Sequence, residues 1–254
     1  MRILVVGDSC KDVFVYGKVN RLTPEAPVPV FNPTVTKTND GMARNVSNNV
    51  EALGVNISTI TNPNSIRKVR YVDDKSNQLV LRVDEHDYCD RIENILLSTI
   101  QNNECHIPFN GKRDFDAVII SDYDKGFLHE DDIQWICENN NNVFVDTKKK
   151  LGDWIKDVDF LKINDLEYEN NNHFFENNPI IDKTIITRGR EGCLFKGDRY
   201  PTDDVPVKDI SGAGDTFLAG LTTEYIRSRD IIKAIKFAQD CTKIVVQKHG
   251  VSTV

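Results

Sequence analysis

The sequence predicts an α/β protein: a mainly parallel central sheet with helices on both faces, and a small second sheet attached to it. Three observations predict this. Short apolar runs of strand length alternate with longer amphipathic stretches of helical period, a pattern that specifies parallel strands joined by crossover helices. Two segments, Val28–Thr36 and Lys68–Val83, break the alternation with strand character among charged residues, which predicts a separate antiparallel sheet acting as a flap, a sheet edge or a dimer arm. The chain of 254 residues, 39% hydrophobic and 28% charged, is long enough to bury a core as one globular unit or at most two modest ones.

The elements follow in order. Met1-Arg2 leads straight into Ile3–Val6, closed by Gly7; this reads as a first strand, not a signal peptide. Ala43–Leu53 has helical spacing and stops at Gly54, and Ile57–Thr61 is the next strand. Helices are expected at Arg91–Gln101 and Glu130–Glu138, with strands at Ala117–Ser121, Val143–Asp146, Phe160–Ile163 and Thr184–Thr187. Gly214–Arg227 and Ile231–Lys248 close the chain as helices. Asparagine clusters at 139–142, 170–172 and 177–178 read as loops, because Asn tolerates left-handed backbone and bonds its own main chain.

Several function classes fall away. The net charge is −7 and the longest basic run is Lys148-Lys149-Lys150, against a nucleic-acid-coating or membrane-surface protein and in favour of a small polar ligand. No apolar stretch approaches the ~20 residues that span a bilayer. The six cysteines are scattered without a C-x-x-C pair and read as reduced thiols of a cytoplasmic protein. There is no G-x-x-x-x-G-K-[ST], H-E-x-x-H or G-x-S-x-G, and Gly7-Asp8-Ser9-Cys10 stands where a dinucleotide-binding strand would carry G-x-G-x-x-G.

The segment that carries chemistry is Asp209-Ile210-Ser211-Gly212-Ala213-Gly214-Asp215-Thr216-Phe217. Small residues at a helix start leave backbone N–H groups unobstructed at the positive end of the dipole, which suits a phosphate or a developing oxyanion. Asp215, one step inside that turn, is placed to accept a proton from an attacking hydroxyl. Four residues alone fit an ordinary acidic first turn behind a flexible loop equally well; the nine-residue string resembles the C-terminal signature of the ribokinase-like (PfkB-type) carbohydrate kinases.

Further strings carry the resemblance along nearly the whole chain. Leu22–Val30, Ile120–Gly126, Val145–Lys148 and Gly250–Val254 are similar to the branch that phosphorylates D-glycero-β-D-manno-heptose 7-phosphate, alone or as the kinase half of a bifunctional kinase/adenylyltransferase. The resemblance implies a single ribokinase-like three-layer sandwich over residues 1–254, with a β-sheet lid whose strands lie within about 14–40 and 66–85. It implies an ATP- and Mg²⁺-dependent cytoplasmic sugar kinase, with a monovalent cation left open, acting on a sugar phosphate. It also implies a homodimer through the lid, no nucleic-acid or membrane partner, and a separate adenylyltransferase acting next.

The resemblance also assigns site residues. Asp215 is the base, and Gly212, Ala213 and Gly214 form the anion hole. Asp8, Asp12, Gly41, Arg44, Asn45, Asp122 and Lys125 are on the substrate side. Lys148, Asn164, Glu167, Thr187, Gly189 and Gly192 are on the nucleotide side, with Asn164 and Glu167 organising Mg²⁺ through water. From the residues alone, Asp8 could cap a turn, Asp12 and Arg44 could be surface charges, and Asn164 with Glu167 could be a helix capping box. Three departures stand out. Met42 replaces a glycine, Lys243 stands where the family has small residues beside the adenine, and the chain after Thr61 runs directly to the lid strands. A kinase of another sugar, sugar phosphate or nucleoside, or an inactive sugar-phosphate-binding relative, are the alternatives.

Overall fold

In the computed structural model, residues 1–63, 66–92 and 115–254 are described. The expected helix at Arg91–Gln101 lies for the most part outside them. β1 (Arg2–Gly7) is followed by β2 (Ser9–Leu22), β3 (Pro29–Met42), α1 (Ala43–Ala52), β4 (Asn56–Thr61), β5 (Ile66–Asp73) and β6 (Leu79–Glu85). Then come β7 (Ala117–Asp122), α2 (Glu130–Asn139), β8 (Val143–Thr147), β9 (Phe160–Asn164), α3 (Asp165–Asn170) and α4 (Asn172–Phe175). The chain closes with β10 (Thr184–Thr187), β11 (Cys193–Phe195), β12 (Asp198–Tyr200), α5 (Ala213–Ser228) and α6 (Ile231–Val246).

The described strands form an eight-stranded sheet in the order β12-β11-β10-β9-β8-β7-β1-β4, parallel except for the antiparallel hairpin β11–β12 and its pairing with β10. Each central strand is apolar on both faces, as burial between two helical layers demands. Leu4, Val6, Val118 and Ile120 enter one core with Ile133 and Ile136 of α2. Ile3, Val5 and Ile119 enter the other with Val46 of α1, Leu218 of α5 and Ala234 of α6. The three-layer α/β fold expected from the sequence is therefore what the chain adopts.

The second sheet has the order β3-β2-β5-β6. Its expected antiparallel character holds at β2–β3 and β5–β6, but the central pair β2–β5 is parallel. The correction has a topological cause: the chain leaves β2, crosses through β3, α1 and β4, and re-enters this sheet in the direction it first ran. The sheet also starts earlier than expected, at Ser9, because β2 follows β1 after Asp8 alone. Lys68–Val83 divides into two strands around a turn at Asp73–Gln78, where Asp73 accepts from the Ser76 amide at 2.9 Å. β11 and β12, too short for any periodicity, and α4 are not expected from the sequence, and α3 is the helix that the alternative reading of Asn164 and Glu167 as a capping box implies.

Met42 holds the backbone at φ 58, ψ −134 immediately before α1, a conformation costly for a side chain. Its side chain is buried in the core.

Candidate active site

The C-terminal ends of the parallel strands and the start of α5 meet beneath the small sheet, the edge at which open α/β sheets bind ligands. Asp215 lies in the first turn of α5 and is 3% exposed. Its Oδ2 accepts from Asn45 Nδ2 at 2.9 Å and its Oδ1 from the Tyr123 hydroxyl at 2.8 Å. Burial pushes its carboxyl up to about 6, against the lowering effect of those two donors and of Lys162; nearby Asp146 adds to the rise. Desolvation thus outweighs the two donors and Lys162, yet at neutral pH the group is still mainly ionised and ready to take a proton. Tyr123 stays protonated, its hydroxyl raised well above 10 by burial and then by Asp215 and Asp146.

Asn45 is itself held. Its Oδ1 accepts from Asn49 Nδ2 at 3.1 Å, and Asn49 Oδ1 accepts from the Val254 amide at 3.2 Å. Gly212 has φ +80, and a Cβ there would fall 2.5 Å from Asn45 Nδ2; a Cβ on Gly214 would fall 2.9 Å from Lys162 Nζ. The small residues thus make room for the groups around Asp215 and leave the helix start open. Of the three loop amides, that of Ala213 donates to the Ile210 carbonyl at 3.1 Å, leaving those of Gly212 and Gly214 for a ligand.

A second cluster adjoins the first. Asp146, at the end of β8, accepts from Lys162 Nζ at 2.6 Å and Lys148 Nζ at 3.2 Å. Burial works to raise the Asp146 carboxyl, but Lys148 and Lys162 outweigh it and hold it below the usual range. Lys148 also pairs with Glu167 Oε1. Asn164 and Glu167 form a full capping box on α3: Asn164 Oδ1 accepts from the Glu167 amide and Glu167 Oε2 from the Asn164 amide, each at 2.9 Å. Among the described residues no group of three or more His, Cys, Asp or Glu side chains could enclose a metal. Glu167, with both oxygens engaged, suits a magnesium ion reached through water and held mainly by substrate phosphates, the usual manner of that ion.

A cavity of about 400 Å³ opens on the other side of the Gly-Ala-Gly turn, lined by Thr187, Gly189, Gly192, Ala213 and Gly214 among others. Phe217 and Val246 give it an apolar wall, and Gln239 and Lys243 also reach it. Lys243 Nζ is tied to Asp203 at 2.5 Å and Asp240 at 2.8 Å, which draws the ammonium to the rim.

Other expected residues have different surroundings. Asp8 is fully buried behind the loop after β7, where its Oδ2 accepts from the Tyr123 amide at 2.6 Å and its Oδ1 from the Phe127 amide at 3.3 Å. It anchors the loop that presents Tyr123. Asp122 is also fully buried and accepts from Thr147 Oγ1 at 2.5 Å and Lys149 Nζ at 3.1 Å; burial lifts its carboxyl to about 6, offset in part by Lys149. Lys125 pairs with Asp87 at 2.6 Å, and Arg44 is exposed on α1. Asp12 sits on the small sheet paired with Arg70, and a Cβ on Gly41 would fall 2.1 Å from Asp12 Oδ2.

The structure thus gathers Asp215, Asn45, Gly212 and Gly214, then Lys148, Asn164 and Glu167, then Thr187, Gly189 and Gly192. Tyr123, Asp146, Lys162 and Asn49 were missed as individual site residues. Lys162 had a legible signal: it is a charge inside the apolar strand Phe160–Ile163, and a buried charge must be paired.

Comparison with known proteins agrees with this geometry. The pfkB family carbohydrate kinase model matches residues 114–254. The Bifunctional protein HldE of a Nitratiruptor species is 28% identical over 296 residues, covering 99% of this chain and 63% of that protein. The Bifunctional protein HldE of Helicobacter pylori (strain J99) is 29% identical over 298 residues, covering 98% of this chain and 63% of that protein. The chain therefore spans under two thirds of the length of these curated relatives. The alignments run longer than the 254 residues of the chain, so the relatives carry internal residues that it lacks. Among solved structures, ribokinase from Thermotoga maritima superposes with TM-score 0.70 at 17% identity, over 98% of this chain and 94% of that one. Arabidopsis thaliana ribokinase complexed with ribose and ATP gives 0.65 at 14%, over 98% and 93%. These likenesses carry the fold. With a family model covering more than half its length, the chain belongs to the pfkB family of carbohydrate kinases, phosphotransferases that act on sugar hydroxyl groups.

Proposed function

We propose that the chain transfers the γ-phosphoryl group of ATP to O1 of D-glycero-β-D-manno-heptose 7-phosphate, giving the 1,7-bisphosphate. The observation that carries the reading is Asp215: a buried carboxylate held by Asn45 and Tyr123 at the open amides of a helix start. The sugar rests on the names of the curated relatives and on the whole-chain resemblance.

In this reading the sugar hydroxyl lies between Asp215 and the Gly212 and Gly214 amides. Its oxygen forms a bond to the γ-phosphorus as the bond to the β,γ-bridging oxygen breaks; the proton passes to Asp215 and the electron pair leaves on ADP. Asn45 and Tyr123 orient the carboxylate, and the amides meet charge on the phosphoryl oxygens. The nucleotide occupies the cavity lined by Thr187, Gly189 and Gly192, with Lys148 beside its phosphates. Glu167, with Asn164 beside it, would hold Mg²⁺ through water, and the ion would supply charge neutralisation at the phosphates. Asp12, Gly41 and Asn45 lie toward the sugar. Asp8 and Asp122 support the loop, and Lys125 and Arg44 play no part in the transfer.

The protein acts in the cytoplasm as a homodimer joined through the small sheet, and an adenylyltransferase activity consumes its product. Leu81, opposite Tyr71 on the face turned away from Arg70 and Lys68, is 55% exposed, and Leu79 and Val35 are similarly open. Such apolar surface on a sheet suits a second copy.

The test is direct. Purified protein with ATP, Mg²⁺ and the heptose phosphate should form the bisphosphate, seen by phosphorus NMR. Absence of product with the heptose phosphate but turnover of another sugar in a panel would reassign the substrate. Absence of turnover with every sugar would make the chain a binding relative.

A further inference from the structure

Lys68 on β5 is the cation that the rest of the site does not explain. It is 8% exposed, yet among the described residues its ammonium has no ion pair or hydrogen bond; it rests over the ring of Tyr123, 5.0 Å from Nζ to the centroid, and feels Asp84 and Cys10 only at longer range. Lysines are almost never so buried without a counter-charge. Lys148 also places its Nζ 5.3 Å from that ring, so two ammonium groups converge on one aromatic side chain. Lys148 has Asp146 and Glu167 to balance it, and Lys68 has no such partner.

The placement is specific. Along β5, Lys68 and Arg70 point to the same face, and Arg70 spends its charge on Asp12. Lys68 stands directly opposite Asp12 on β2 and Asp84 on β6, but Asp12 is committed to Arg70 and Asp84 to Arg82, at 2.7 Å. The Tyr123 hydroxyl beneath it donates to Asp215. A lone buried ammonium, borne on the small sheet and resting on the ring that orients the candidate base, is arranged for an anion that enters between the sheet and the body.

We propose that Lys68 is a phosphoryl ligand: it contacts the oxygens of a phosphate dianion bound in the cleft between the small sheet and the body, and thereby completes the site from the small-sheet side. The anion is either the phosphoryl group in transfer or the phosphate already carried by the acceptor. The proposal rests on the kinase reading above and names a further residue for it.

Lys68→Met keeps the stem and removes the charge, and Lys68→Arg restores it. With the wild-type protein active on the heptose phosphate, a Lys68 contact to the transferring group lowers kcat of Lys68→Met by ~10²-fold with the sugar-phosphate Kd unchanged. A contact to the acceptor's phosphate instead raises the Kd for heptose 7-phosphate by ~10–100-fold and leaves binding of unphosphorylated heptose alone. Partial rescue by Lys68→Arg is expected in either case. Thermal melts of both variants establish that they fold. Kinetic and binding constants of Lys68→Met within twofold of wild type would overturn the proposal. Calorimetric titration with inorganic pyrophosphate separates the two readings: if wild type transfers no phosphoryl group, the kinase reading fails. Pyrophosphate binding that is lost in Lys68→Met and kept in Lys68→Arg would still assign the anion site, and binding indifferent to both variants would remove it.

Discussion

Replacing Asp215 by Asn should impair the chemistry and stabilise the fold, with the second effect confined to neutral and alkaline pH. The Asp215 carboxyl is raised from 3.8 to about 6, chiefly by burial. Below the unfolded value both states hold the proton, and the contribution of the protonated group to stability is fully present. As the pH rises toward and through 6, the unfolded chain has already released its proton while the folded protein resists, so that contribution is lost. The displacement corresponds to roughly 3 kcal/mol at ~1.4 kcal/mol per pH unit. The substituted asparagine carries no charge at any pH, and its amide can still accept from Asn45 and face Tyr123. Urea unfolding of wild type and Asp215→Asn at pH 4 and pH 8 should show the difference moving in favour of the variant by roughly 2–3 kcal/mol over that interval. Phosphoryl transfer should fall by ~10²–10⁴-fold, the range for a lost general base. A stability difference equal at both pH values would refute the burial argument, and near-full turnover would refute the assignment of the base.

Three further outcomes follow from the same geometry. Wild-type kcat should fall on the acid side with an apparent pKa about 6; in Asn45→Leu, which removes a donor to the ionised form, that limb should move up by about 1–2 pH units, and an unmoved limb in the pH–rate profile argues against the contact. Gly212→Ala must place a Cβ 2.5 Å from Asn45 Nδ2 at φ +80, so calorimetry should show a loss of about 1–3 kcal/mol together with impaired turnover. Leu81→Arg should convert the proposed dimer to a monomer by light scattering, whereas a wild-type monomer removes the lid interface.

Much of the body was legible because its signals are local. The apolar run Ile3–Val6 and the helical spacing of Ala43–Leu53 report their own burial, and the elements form within a residue or two of the expected bounds. The Gly-Ala-Gly-Asp turn was legible for the same reason: helix start, small residues and acid are consecutive in the chain. The Asn164-x-x-Glu167 pair was readable as a capping box from its spacing, and it forms one while Glu167 also holds Lys148.

The sequence by itself determined the alternating elements, the family and the position of the acid at a helix start, because periodicity and short motifs are properties of neighbouring residues. Only the tertiary structure decided which charges face one another. Asp8 and Asp215 are both acids beside a glycine, yet one carboxylate accepts from the Tyr123 and Phe127 backbone amides while the other accepts from the Asn45 side chain and the Tyr123 hydroxyl at the start of α5. The parallel pairing of β2 with β5, which carries Lys68 over Tyr123, joins segments separated by more than 50 residues. Such contacts leave no periodic trace in the chain, and the desolvation that sets the proton affinity of Asp215 exists only once those distant segments have closed around it.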